Sequence, residues 1–160
     1  MTNRKIATLG LFCSLAIIFG YVEALIPFFA GIPGMKLGLA NLAVLFVLER
    51  YSVKEALVVS VIRIIVIGFL FGNLFGIAYS CAGALLSITV MTILLKKCRC
   101  SIMAVSMAGG ISHNIGQLLI AIWLVENTKL FYYAPALIVS GIMTGILIGW
   151  LTGETLKRIR

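Results

Sequence analysis

The chain has 160 residues, of which 62% are hydrophobic and 11% charged, with a formal net charge of +8 and a mean hydropathy of +1.16. A soluble domain of this size carries more surface charge, so the composition excludes one and specifies an integral membrane protein in a single domain, residues 1–160. The basic residues lie in short clusters between apolar runs, where they set topology, which argues against a nucleic-acid partner.

The apolar runs are long and unbroken, which predicts helices rather than the alternating strands of a membrane barrel. The first predicted span covers residues 6–27. Arg4 and Lys5 precede it as in a signal peptide, but no small-residue cleavage site follows, so the run is read as a retained span. Ala16, Gly20 and Ala24 recur every four residues and form a stripe that accepts a close-packed helix, from this fold or from another subunit. Glu23 lies near the far end of the span. It either reaches interfacial water or is buried against a cation. Phe28 to Lys36 follows, with a turn at Pro33-Gly34. This segment is too apolar for a solvated loop and fits a cover over a pocket.

The second span, 37–48, is short. Twelve helical residues reach about 18 Å, against roughly 30 Å of hydrocarbon. Either the preceding loop dips into the membrane or neighbouring helices shelter the short one. Asn41 lies within it, and a short helix behind a Gly/Pro break points to a binding site. Ser52 and Glu55 have capping-box spacing and open the third span, 56–72. Arg63 sits near its middle, where insertion scales put the cost at about 3 kcal/mol. Glu23, a carbonyl, water or an anionic ligand would compensate it; snorkelling towards the charged loop is the alternative. Gly72-Asn73 turns the chain into the fourth span, 74–95, whose polar positions are Tyr79, Ser80 and Ser87.

The fifth span, 101–125, contains the only histidine. His113 and Gln117 are one helical turn apart, with Asn114 beside them. Polar groups at this depth face protein or a water-filled cavity, and serve either to tie helices together or to hold a ligand. Gly109, Gly110 and Gly116 remove bulk around them. Phe131, Tyr132 and Tyr133 form an aromatic belt at the interface where the sixth span, 130–153, begins. There Gly141, Gly145, Gly149 and Gly153 recur every four residues as a packing ridge.

With six spans and both termini cytoplasmic, ten basic residues fall inside: Arg4, Lys5, Arg50, Lys54, Lys96, Lys97, Arg99, Lys157, Arg158 and Arg160. Two, Lys36 and Lys129, fall outside. The positive-inside rule therefore favours six spans in the cell membrane. Cys98 and Cys100 then lie in a cytoplasmic loop where thiols stay reduced, and no disulfide framework is expected.

All five acidic residues are glutamates and none is spaced as a metal cluster. No GxxxxGK[ST] loop is present. Ser112-His113 is no catalytic pair, because adjacent helical side chains point about 100° apart. No catalytic residue, metal or cofactor is expected, and the chain alone is not read as an enzyme.

Several strings are more specific. Pro33-Gly34-Met35-Lys36-Leu37-Gly38-Leu39-Ala40-Asn41, Lys54-Glu55-Ala56-Leu57 through Arg63, Phe71-Gly72, Tyr79-Ser80, Ser112-His113-Asn114-Ile115-Gly116-Gln117, and Tyr132-Tyr133 through Ser140-Gly141 to Gly145 resemble the Gx transporter family. That family also carries the name heptaprenyl diphosphate synthase component I. The resemblance covers about residues 5–155. The transporter name implies an all-α, six-transmembrane-helix bundle like the substrate-binding S-component of an energy-coupling-factor importer. Its ligand site would lie near the outer face under the loop between helices 1 and 2, and a separate scaffold with two ATPases would supply energy. The synthase name implies a membrane accessory subunit for a soluble prenyl transferase, since a chain without aspartate cannot supply that enzyme's aspartate-rich magnesium motifs.

The expected ligand is a small anion, drawn by Lys36 and Arg63. Asn41, His113, Asn114 and Gln117 would orient it, with Tyr79 and Asn73 as further contacts. Ala16, Gly20 and Ala24 are the expected docking face for a scaffold. A structural membrane subunit without a ligand is the third reading.

Overall fold

The computed structural model describes residues 3–25 and 38–158. The Phe28 to Lys36 cover, Lys36 included, and Arg160 lie outside them. The described residues are all-helical: α1 (Asn3–Leu25), α2 (Ala40–Arg50), α3 (Val53–Phe71), α4 (Leu74–Lys96), α5 (Ile102–Val125), a 3-10 helix (Thr128–Tyr133) and α6 (Ala134–Arg158). Among the described residues four segments are long and apolar enough to cross a membrane: α1, α4, α5 and Thr128–Arg158. Their outer faces are apolar and bare, with Leu74 75% and Trp123 71% exposed. α3 is 19 residues long and carries Lys54, Glu55 and Arg63.

α2 has 11 residues, about 16 Å of helix. It starts just after Gly38, whose φ of 69° is left-handed and natural only to glycine. The Asn41 amide donates to the Gly38 carbonyl at 2.8 Å and closes the first turn. Ala43 through Leu48 are all buried, the pattern of a helix apolar all round and enclosed by others. Phe12 of α1 stacks on Phe46 at 4.0 Å between ring centroids. Ala56 and Val59 of α3, Ile88 and Met91 of α4, Val105 of α5 and Ile148 of α6 complete this core. The short helix is thus sheltered by its neighbours, one of the two expected solutions.

The glycine ridge of α6 packs on α5 with backbone against backbone. A Cβ on Gly141 would lie 2.8 Å from the Gly110 carbonyl carbon, and one on Gly145 would lie 2.5 Å from Met107 Cα. At Gly149 the approach to Met103 Cα is 2.9 Å. Gly153 departs from the expected ridge: among the described residues nothing lies within 4 Å of a Cβ there. The small stripe of α1 is taken up inside the chain. Ala16 is fully buried, and a Cβ on Gly20 would meet Ile67 of α3 at 2.9 Å. Of the three residues assigned to scaffold docking, only Ala24 is exposed.

Ser52 caps α3 but does not form the reciprocal capping box. Its hydroxyl oxygen accepts from the Lys54 amide at 3.2 Å and its proton goes to the Glu55 carboxylate. Glu55 also takes Lys5 Nζ of α1 at 2.5 Å, and Lys5 lies 5.5 Å from the Tyr51 ring centroid. Hydrogen bonds from Lys5 and then Ser52 hold the Glu55 carboxyl down from the usual 4.5 to about 2. A lowered folded-state value stabilises fully above the unfolded one and is lost as pH falls through the folded one. Wild type is therefore expected to lose thermal stability between about pH 5 and 2 more steeply than Glu55→Gln. Melting curves of both in detergent across that range check this; parallel curves would refute it.

Candidate functional site: two cavities beside the histidine helix

Arg63 lies on α3, which packs against α1, α2 and α4, and is 9% exposed. It opens into a cavity of about 200 Å³ that also receives Glu23, Ser80 and His113. Ile64, Ile67 and Phe71 wall this space, and Gly20, Gly68, Gly72 and Gly76 leave the room for it. Glu23 is the opposite charge that faces Arg63, and its carboxylate also accepts the Leu39 amide just before α2. Arg63 Nε is buried and has no hydrogen-bond partner among the described residues. The side chain is therefore held inside the bundle rather than snorkelling along its outside.

A void of about 20 Å³ adjoins this space and is lined by Asn41, Arg63, His113, Asn114 and Thr144, among others. It is at the scale of one water molecule. Asn41, Arg63, His113 and Asn114, which come from three helices, thus meet at one point.

Tyr79 and Gln117 do not join them. They line a second cavity of about 260 Å³ with Asn114, Tyr133 and a set of apolar side chains. Asn114 Nδ2 donates to the Leu137 carbonyl at 2.8 Å and ties α5 to α6. The division comes from α4. A Cβ on Gly83 would lie 2.8 Å from the His113 carbonyl and 2.9 Å from Gln117 Cγ, so α4 crosses between the two polar side chains.

Asn73 lines none of these spaces. It is exposed and caps α4, its Oδ1 accepting from the Gly76 amide at 2.7 Å. Sequence reasoning also does not single out Gly68 and Gly76 as makers of space. Their four-residue spacing with Gly72 is a signal for them, broken by the turn between α3 and α4. Among the described residues no three His, Cys or acidic side chains gather as a metal site.

The family model for heptaprenyl diphosphate synthase component I matches residues 12–155. The chain belongs to that family. The match takes in all the helices that form the cavities, from Phe12 of α1 to the last turns of α6. A component I is by its name one part of a larger synthase, so the name implies a partner, the second component. It accords with a part that does not itself catalyse. No curated protein and no solved structure matched the component I chain. Its likeness to importer S-components rests on the sequence strings alone.

Proposed function

We propose that this component I chain is a membrane-embedded binding protein for a small anionic molecule, held at Arg63 and serving uptake. The observation that carries the reading is Arg63 itself, buried in a cavity of about 200 Å³ with its Nε unbonded among the described residues. An ionisable group at this depth marks a ligand pathway by default. A guanidinium presents a planar fork that fits a carboxylate or phosphate through two parallel hydrogen bonds. Ser80 and His113 supply further polar contacts in the same space, and Asn41 and Asn114 border it through the small void. Lys36 adds a second positive charge by sequence position. The reading includes six spans, both termini in the cytoplasm, and a separate scaffold with ATPases as the energy source.

The family match favours a second reading, a membrane accessory subunit of a prenyl diphosphate synthase. A prenyl diphosphate joins an anionic head to an apolar tail, and the cavity sets Arg63 beside Ile64, Ile67 and Phe71. A soluble prenyl transferase would then be the partner.

Native mass spectrometry of the protein, extracted gently from its own membrane, separates the two. A co-purified anionic small molecule, lost on Arg63→Gln, supports the binding protein and gives the class of its ligand. A bound prenyl transferase without any small molecule overturns it in favour of the accessory subunit.

A further inference from the structure

The second cavity differs in kind from the one at Arg63. The two are separated where α4 and α5 meet backbone to backbone: a Cβ on Gly116 would lie 2.9 Å from the Ala82 carbonyl oxygen. Among the described residues no charged side chain lines the second cavity. Leu118, Ala121 and Leu137 make apolar wall, and the rings of Tyr79 and Tyr133 border it. The two polar exceptions are Asn114, whose Nδ2 is already given to the Leu137 carbonyl, and Gln117. Gln117 is 5% exposed, it lines this space, and its side-chain amide makes no hydrogen bond among the described residues. A buried amide with both its donor and its acceptor unused is costly, and a ligand that satisfies both recovers that loss.

We propose that this cavity is a second ligand site, for a neutral two-ring molecule that carries an N–H and a C=O side by side. The size follows from the volume. A cavity of about 150 Å³ holds benzene, and this one is about 260 Å³. Neutrality follows from the uncharged wall. The adjacent N–H and C=O follow from Gln117, whose carbonyl accepts and whose amino group donates from one planar group. The two tyrosines favour a flat aromatic ring by offset or edge-to-face contact. This inference goes beyond the anion site and uses none of its charged residues.

The test uses the full chain in lipid nanodiscs and saturation-transfer NMR, with empty nanodiscs as background. The probe is 1H-quinolin-2-one, a fused bicyclic lactam, and naphthalene is the comparison of the same shape without polar atoms. The lactam is expected to bind saturably, and naphthalene roughly tenfold more weakly or worse. Gln117→Leu is expected to weaken the lactam by roughly tenfold and leave naphthalene unchanged. Ala121→Phe fills the cavity while Gln117 itself is retained, and is expected to abolish binding of both. It keeps the test decisive where Gln117→Leu fails to fold. Arg63→Gln is expected to leave lactam binding intact, which separates this site from the anion site. No saturable binding, equal affinity for the two probes, or lactam binding lost in Arg63→Gln would each overturn the proposal. So would a phospholipid that native mass spectrometry finds retained and that the lactam does not displace.

Discussion

Gly145→Val is expected to destabilise the bundle by about 3 kcal/mol or more, the top of the range for overpacking a filled interior. The first added carbon already lies 2.5 Å from Met107 Cα, 2.9 Å from Met107 N and 2.9 Å from the Ser106 carbonyl oxygen. These are backbone atoms, and no rotamer change moves them away. α5 must separate from α6, and that pair forms the most extensive helix contact among the described residues. Gly153→Ala is the control. Nothing described lies within 4 Å of a Cβ there, and alanine is favoured over glycine in a helix by up to about 1 kcal/mol. Gly153→Ala should therefore be neutral or slightly stabilising. Unfolding in mixed micelles measures both. A Gly145→Val protein as stable as wild type would show that the two helices do not meet this closely.

Arg63→Met is expected to lower affinity for the anionic ligand by about a hundredfold or more. Truncating one member of a buried charged contact typically costs 2–5 kcal/mol, about 30-fold to several thousandfold. The same change leaves Glu23 without the positive charge that faces it in the cavity, so stability should fall as well. The double variant Glu23→Gln/Arg63→Met removes both charges. It is expected to recover stability, because a buried pair replaced by uncharged groups is often neutral, but not to recover the ligand. Retention of the co-purified molecule, read beside the melting temperature, separates the two effects. Ligand retained in Arg63→Met would remove Arg63 from the site. Arg63→Lys should also lose affinity, since an ammonium cannot make two parallel bonds from one plane.

Part of this arrangement is legible in the sequence because the bilayer leaves few choices. An arginine or histidine inside an apolar run has only protein or a cavity to face, so Arg63 and His113 stand out. The ridge on α6 is legible by its four-residue spacing, and Gly141, Gly145 and Gly149 do pack. Gly153 shows what periodicity omits. Spacing fixes the face of a helix, not how far its partner extends. α5 begins only at Ile102, and Gly149 already lies against Met103, so no turn of α5 remains opposite Gly153.

Asn73 illustrates a second gap. A polar residue at a helix start serves equally as a cap or a contact, and composition does not distinguish the two. The division into two cavities is the least legible feature. His113 and Asn114 are adjacent, so their side chains diverge by about 100°. His113 and Gln117 share a helix face, yet Gly83 of α4 rides between them. The crossing of two helices is a property of the pair, and neither strand of sequence records it alone.

α2 has a consequence for how the protein is made. The ribosome delivers it before α3, α4, α5 or α6 exists, yet the buried core it belongs to draws residues from all of these helices as well as from α1. Eleven apolar-rich residues fall well below the roughly 20 that hold a helix across the bilayer unaided. α2 is therefore expected to be enclosed by later helices rather than held in a bilayer by its own hydrophobicity. During synthesis this apolar segment is expected to lack its full enclosure until α6 has been made. A chain truncated after α3 would leave that segment exposed, a ready target for membrane quality-control proteases.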